Sequence, residues 1–209
     1  GIEVLDIDVE VQVAAGLAGF SVVGLPDKAV AESRERVRAA FGALGLALPA
    51  RRIVVNLAPA DVLKEGSHFD LPIALALLVA MGVIAQEDAA EYTALGELGL
   101  DGRLARVAGV LPAAFDASAR GRGLICPEAS GSEAAWIDDI EILAPASLLA
   151  LVNHFKGLQI LTPPKTRLAE EEIALPDLID IKGQETAKRA LEVVAAGGHN
   201  LLMIGPPGA

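Results

Sequence analysis

The sequence predicts an α+β protein, a two-layer or α/β sandwich, followed by the start of a second α/β module. Two observations support this fold class. Strand-length and helix-length apolar patterns alternate over the first 155 residues, and a proline-containing, charged segment then interrupts them. We therefore expect one large domain at 1–155, a linker at 156–176 and the beginning of a second domain at 177–209.

The first 26 residues contain two strand patterns. Residues 3–13 alternate apolar and polar side chains, which is typical of a strand with one face in water. A second strand, 20–23, follows the glycine-rich stretch 16–19 and ends at Gly24-Leu25-Pro26. Because the chain opens on a strand rather than on a basic and apolar leader, we expect no signal peptide.

A helix is predicted next, over 27–44. Asp27 is a suitable N-cap, and Gly45 follows the last apolar position as a C-terminal glycine. Four apolar residues share the inward side of this helix: Val30, Val37, Phe41 and Leu44. A strand at 52–57 follows.

The most apolar stretch of the chain lies at 71–85. It is about fifteen residues long, whereas a bilayer crossing needs about twenty, so we interpret it as a buried helix without a membrane role. The helix is predicted at 71–81, with Asp70 as its cap and Pro72 in its first turn. Since it is apolar on every side, it is expected at the centre of the domain.

The remainder of the large domain alternates short strands and helices. Asp101-Gly102 predicts a hairpin between residues 93–98 and 103–107. Helices are predicted at 110–120 and 146–155, with strands at 123–126 and 140–143 between them.

The net charge of −11 argues against a nucleic-acid-binding surface on this part of the protein, because affinity for phosphate comes mainly from Lys and Arg. Two local basic clusters nevertheless occur. Arg34 and Arg38 share a helix face while Arg36 points away from it, and Arg51 and Arg52 come later. We interpret the helical cluster as a solvated face whose partners are glutamates 32 and 35.

Cys126 is the single cysteine, so an intramolecular disulfide is excluded and a reducing, cytoplasmic location is expected. A reactive thiol needs a basic neighbour to stabilise its thiolate, and none is close in sequence. Cys126 also lies in an apolar run. We therefore predict a structural role for it.

The last 32 residues resemble the entrance to a nucleotide-binding module. An Ile-x-Gly-Gln element at 181–184 precedes an amphipathic helix at 185–196, and a short apolar stretch at 199–204 is predicted as a buried strand. The chain then ends in Gly205, Pro206, Pro207, Gly208 and Ala209. A phosphate-binding loop continues such a run with glycine, lysine and a hydroxyl residue, which are missing here; taken alone, the run also fits an ordinary turn-rich tail.

This order is similar to that of AAA+ ATPase modules. By that resemblance, Ile181 and Gly183 lie near adenine, and the five residues from Gly205 to Ala209 form the first half of the phosphate cradle. The resemblance implies ATP and Mg²⁺ for the full-length protein. Neither ATP nor Mg²⁺ is expected to bind to this incomplete piece, which should hydrolyse nothing.

Several stretches of the large domain resemble the magnesium-chelatase-like AAA+ family. They are Val23-Gly24-Leu25-Pro26, Asn56-Leu57-Ala58-Pro59-Ala60-Asp61, the run from Lys64 to Ala74, and Leu95-Gly96-Glu97-Leu98. The resemblance implies a ribosomal-S5-domain-2-like fold, shared with the Lon protease catalytic domain, in front of the ATPase module. It further implies a homo-oligomeric ring, a DNA partner, no membrane, and a motor that promotes branch migration when imported DNA is integrated.

Lon-like proteases use a serine nucleophile and a lysine base, and the resemblance shows neither here. Aligning Lys64-Glu65-Gly66 with the family motif puts His68 at the serine position, and Leu111 falls at the lysine position. Ser67 lies one residue away. We expect a non-proteolytic domain, with an ATP-dependent protease relative and a metal-chelatase ATPase subunit as alternatives.

Other polar residues are interpreted as structural. His68 and Asp70 lack a third metal ligand at suitable spacing, so a polar loop with Asp70 as a helix cap is the simpler interpretation. Asp138 and Asp139 follow Trp136 in a surface-like stretch and are expected to be solvated. The sequence therefore predicts no metal site.

Overall fold

The computed structural model describes residues 4–167 and 177–205. The chain divides into two compact units at Arg167, and each unit is described by itself. The predicted boundaries of 1–155 and 177–209 stay predictions. Residues 168–176 of the predicted linker lie outside the described part of the chain.

A three-stranded sheet forms the first layer of the larger unit. Its strands are β1 (Asp8–Ala14), β2 (Gly19–Val23) and β3 (Arg52–Ala58), in the order β1-β3-β2. β3 pairs antiparallel with β1 and parallel with β2. The polar residues of β1 are exposed while its valines are partly buried, which confirms the predicted wet face.

Two helices pack against this sheet and form the second layer. They are α1 (Lys28–Ala43) and α2 (Asp70–Ala80). The Asp27 carboxylate accepts a hydrogen bond from the Val30 N–H at 2.7 Å, so the predicted N-cap is confirmed. Gly45 follows the end of α1 with a φ of +70°, a conformation that glycine adopts at low cost.

The helix α2 is central, as its uniformly apolar sequence predicts. Leu71, Ile73, Leu77 and Leu78 are fully buried. The predicted role of Asp70 is wrong, however. Asp70 is the first residue of the helix, after a 3₁₀ turn at Ser67–Phe69, and no side chain caps this end.

The rest of the unit contains five strands and four helices, all short. These are α3 (Gln86–Ala90), β4 (Tyr92–Ala94), β5 (Glu97–Leu98), β6 (Leu104–Ala105), α4 (Val110–Ala119), β7 (Gly123–Ile125), α5 (Glu128–Ala134), β8 (Ile142–Leu143) and α6 (Leu148–Phe155). The strands β4, β7 and β8 form a parallel sheet with β7 in the centre. Leu124 faces one apolar core and its neighbour Ile125 the other, so this sheet is buried on both faces. The α+β fold class is confirmed.

The predicted hairpin is only partly correct. β5 and β6 pair around Asp101-Gly102, but Thr93 and Ala94 pair in parallel with β7 instead. Gly96 separates the two pairings, because its N–H donates to the His68 carbonyl and its own carbonyl accepts from the Leu71 N–H. The helices α3 and α5 were not predicted, since segments this short carry no clear apolar periodicity.

The second unit contains a 3₁₀ turn, Leu178–Asp180, and the helix α7 (Glu185–Gly197). The predicted helix is therefore confirmed. The predicted buried strand at 199–204 is wrong: this stretch has no strand pairing, and Leu202 and Ile204 are 82% and 90% exposed. A strand requires a neighbour for its hydrogen bonds, and none of the described residues of this unit supplies one. Among 4–167 and 177–205, no helix is both long and apolar enough to cross a bilayer.

Candidate functional site

The loop after β3 is attached to the start of α1. The Asp27 N–H donates to the Lys64 carbonyl at 2.8 Å, and the Lys64 N–H donates to the Leu25 carbonyl at 3.1 Å. The Asp27 carboxylate also accepts from the Gly66 N–H at 3.2 Å. One side chain therefore caps α1 and holds the Lys-Glu-Gly stretch in place.

A buried ion pair lies beneath this loop. Arg36 donates from Nε to Asp70 Oδ2 at 2.6 Å and from Nη2 to Oδ1 at 2.9 Å. Asp70 is fully buried, and its Oδ2 also accepts from the Leu98 N–H at 3.0 Å. The hydrogen bond that Arg36 donates to Asp70 raises the pKa of the guanidinium above its usual value, so Arg36 stays charged.

This pair corrects the interpretation of the arginine cluster on α1. Arg36 does point away from Arg34 and Arg38, but towards the protein interior and not into solvent. Arg34 lies 3.4 Å from Glu35 on the surface, as expected. Asp70 is 34 residues away in sequence, so local charge patterning could not reveal it.

Ser67 and Lys64 have separate partners. The Ser67 hydroxyl donates to the Glu97 carboxylate, and the Lys64 ammonium donates to the Pro59 carbonyl. Lys64 is 1% exposed. The hydroxyl of Ser67, which lies one residue from the nucleophile position, and the ammonium of the nearby Lys64 are thus each hydrogen-bonded to another group.

His68 is part of the same turn as Ser67 and lies against an aromatic neighbour. Its ring lies 4.4 Å from that of Phe69, measured between centroids. Burial lowers the pKa of His68, and the nearby carboxylates of Asp70 and Asp27 oppose this only partly. No group of three potential metal-binding side chains occurs in the parts of the chain that the structure describes.

Cys126 lies in the apolar core beside the parallel sheet, fully buried. Burial raises the pKa of its thiol to about 12, with a smaller contribution from Glu133. The thiolate is thus strongly disfavoured near neutral pH. This environment agrees with the structural role that the sequence predicts.

We expect Cys126 to react with a maleimide only after the protein unfolds. Because the chain has one cysteine, labelling of this chain at pH 8 reports this site alone. The raised pKa of Cys126 also makes the free energy of unfolding depend on pH. The contribution of Cys126 to that free energy is fully present below the unfolded pKa near 9 and is lost as the pH rises towards about 12. The check is the labelling rate across a urea titration, which should follow the unfolded fraction. Rapid labelling without urea would contradict the expectation.

The residues predicted to contact adenine lie on one turn. Ile181 follows the 3₁₀ turn and is 44% exposed, and Gly183 has a φ of +74° with open space where a side chain would be. Gln184 is also left-handed, with a φ of +57°, and α7 begins directly after it. The turn therefore presents an apolar side chain and accessible backbone together.

The predicted phosphate-binding residues are described only in part. Gly205 is exposed and lies at the end of the stretch without regular secondary structure that follows α7, and among the described residues no backbone hydrogen bond joins it to the turn at 181–184. Pro206, Pro207, Gly208 and Ala209 lie outside the described residues. The predicted nucleotide contacts of all seven residues stay predictions.

Two family models match separate parts of the chain. The family described as "Subunit ChlI of Mg-chelatase" matches residues 9–130, and the one described as "Magnesium chelatase, subunit ChlI" matches residues 177–209. The chain is 43% identical over 208 residues to the uncharacterized protein YifB of Escherichia coli strain K12, covering 100% of this chain and 41% of YifB.

Two further relatives show the same extent of similarity. The chain is 40% identical over 214 residues to the competence protein ComM of Haemophilus influenzae, covering 100% of this chain and 42% of ComM. It is 38% identical over 203 residues to the uncharacterized protein Rv2897c of Mycobacterium tuberculosis, covering 97% of this chain and 40% of that relative. The chain thus spans about two fifths of the length of the curated relatives it matches.

Proposed function

Because the chain belongs to the magnesium-chelatase-like family that includes YifB and ComM, we propose that it is the amino-terminal part of an AAA+ ATPase that moves DNA. The observation that carries this proposal is the order of elements in the second unit. An Ile-x-Gly-Gln turn precedes α7, and the chain then reaches Gly-Pro-Pro-Gly within the second family match. The name of the competence relative supports a role with imported DNA, and branch migration is the activity that the family resemblance implies.

Two features of the turn before α7 support the proposed adenine contact. The half-exposed Ile181 offers apolar contact, and the open, left-handed Gly183 lets a planar base approach the backbone. Gly205 to Ala209 would supply backbone N–H groups to phosphate. ATP would supply the γ-phosphoryl group, and its transfer to water, with ADP leaving, would drive the motor. The lysine, the hydroxyl and the Mg²⁺ ligands would come from the rest of the full-length protein.

The larger unit would act as an accessory domain without peptidase activity. The support for this is the separate pairing of Ser67 with Glu97 and of Lys64 with Pro59. Assembly of a homo-oligomeric ring, or guidance of DNA towards it, is the proposed role. In such rings, ATP lies between subunits and an arginine from the neighbour completes the site.

We expect branched DNA to stimulate ATP hydrolysis by the full-length protein. A motor couples turnover to its track, so steady-state ATPase activity should rise when a four-way junction is added. The measurement compares the rate without DNA, with duplex DNA and with the junction. Turnover that is indifferent to all DNA would contradict the motor function.

A pair of variants tests whether the turn before α7 contacts ATP. Ile181→Asp places a charge where adenine is proposed to lie, so ATP affinity should fall about tenfold or more. Ile179→Asp is the matched control, because Ile179 is 75% exposed and two residues away. Equal ATP affinities for the two variants would refute the proposed adenine contact of Ile181.

A further inference from the structure

Two clefts flank the loop that connects β1 and β2. The first has a volume of about 550 Å³ and is bordered by Leu17 and Arg52, and the second, of about 400 Å³, is bordered by Arg38 and Arg51. Gly19 and Phe20 contribute to both clefts. Residues of the loop at 16–19 thus border two shallow, open depressions of the surface, each of which also contains arginine.

The positive charge of these arginines is not neutralised locally. Arg38, Arg51 and Arg52 are exposed, and within the described parts of the chain no carboxylate lies within 4.0 Å of their side-chain nitrogens. The segments 11–26 and 36–60 contain the end of β1, the loop, β2, the second half of α1 and β3, and they have no Asp or Glu, although the chain has 28 acidic residues. A basic patch thus occurs on a strongly acidic protein.

Backbone pairing holds Arg51 and Arg52 next to the loop. The Gly19 N–H donates to the Arg51 carbonyl at 3.2 Å, and Arg52 is in register with both Ala14 and Gly19. Consecutive residues of an extended chain point to opposite sides, which agrees with Arg51 and Arg52 bordering different clefts. Leu17 lies in the loop and is 94% exposed.

We infer that this surface, formed by the 16–19 loop with Arg38, Arg51 and Arg52, binds the phosphate backbone of duplex DNA. The inference rests on the proposed DNA motor and locates a contact for it on the accessory domain. Exposed arginines beside this loop can contact successive phosphates of a duplex, because each guanidinium can bind two phosphate oxygens. The apolar tip can then enter the groove, as apolar wedges do in proteins that bind the minor groove.

The overall charge of −11 does not oppose this inference. Net charge is a sum over the chain, whereas phosphate responds to the local potential, which salt screens beyond about 10 Å.

An anionic membrane is the other large phosphate-bearing surface that these arginines could contact. Leu17 is the only large apolar residue of the 16–19 loop, and a single leucine buries too little area to anchor a protein in a bilayer.

The test measures DNA affinity of the full-length protein over a range of salt concentrations. The variant R38Q/R51Q/R52Q is compared with R34Q/R103Q/R106Q, in which three exposed arginines near carboxylates are changed. Binding to a fluorescently labelled DNA duplex is followed by anisotropy. We expect the first variant to reduce the slope of log affinity against log salt by about 2 to 3, and the second to leave it unchanged.

A second variant separates the loop from the charges. Leu17→Ser should weaken duplex binding several-fold without altering the salt slope, since it removes apolar contact and no charge. Leu158→Ser is its control, because Leu158 is 74% exposed outside the patch. ATP hydrolysis without DNA should be unchanged in all four variants, which establishes that they are folded.

Each other outcome has a distinct meaning. If DNA stimulates the wild-type ATPase but the first arginine variant keeps the full salt slope, the inferred surface is wrong and the motor function stands. If the wild-type protein binds no DNA at all, the inferred surface and the motor function are both wrong. If the arginine variant binds DNA normally but no longer binds phosphatidylserine vesicles, the patch serves a membrane and the inference is overturned.

Discussion

Arg36→Met is expected to lower the free energy of unfolding by about 3 to 5 kcal/mol, because it leaves the fully buried Asp70 carboxylate without its countercharge. The Leu98 N–H remains as a hydrogen-bond donor, but one neutral donor does not replace a bidentate guanidinium. Urea unfolding monitored by circular dichroism gives the value. A loss below about 1 kcal/mol would show that the pair is not buried as the structure describes.

Two controls test this mechanism. Lys28 and Glu32 form an exposed pair on the same helix, 3.8 Å apart, so Lys28→Met should cost less than about 1 kcal/mol. The double variant R36M/D70L removes both charges. It should be more stable than R36M alone, because no uncompensated charge remains in the interior.

Gly24→Ala is expected to destabilise the larger unit by about 3 kcal/mol or more. Gly24 has a φ of +102°, and an added Cβ would lie 2.1 Å from the Leu57 carbonyl oxygen in the neighbouring strand β3. That oxygen belongs to the backbone, so the clash is relieved only by moving β2 away from β3. Thermal unfolding of the variant measures the loss.

Gly45→Ala provides the matched comparison. Gly45 also has a positive φ, +70°, but its added Cβ would meet no atom within 4 Å. Only the conformational cost remains, about 1 to 2 kcal/mol. If the two variants lose equal stability, the close approach at Gly24 does not contribute, and the prediction fails.

Sequence patterns predict a helix cap or a buried face correctly when the interacting residues are close together in the sequence. Asp27 is three residues from the N–H that it caps, and Gly45 directly follows the last turn of α1, so both roles were correctly predicted. The alternation of β1 and the uniform apolarity of α2 predicted which face of each element is buried. Each of these signals extends over a few residues.

Predictions failed where the partner is distant in the chain. Asp70 was interpreted as a helix cap, yet its carboxylate pairs with Arg36 from another helix. Glu97 was not expected to bind Ser67, which is 30 residues away. Local sequence divides the arginines at 38, 51 and 52 into separate groups, whereas the fold places Arg52 at one of the two clefts beside the 16–19 loop and Arg38 and Arg51 at the other.

The sequence by itself determined the α+β class, the main helices and strands, the family, and the lack of a serine–lysine pair at the matching positions. These properties depend on periodicity, on capping residues and on motif identity, all of which are local. The tertiary structure decided which charged side chains are buried in ion pairs and which are exposed to solvent. Whether an arginine is neutralised depends on the carboxylates that the fold brings within a few ångströms, and sequence separation does not report that distance.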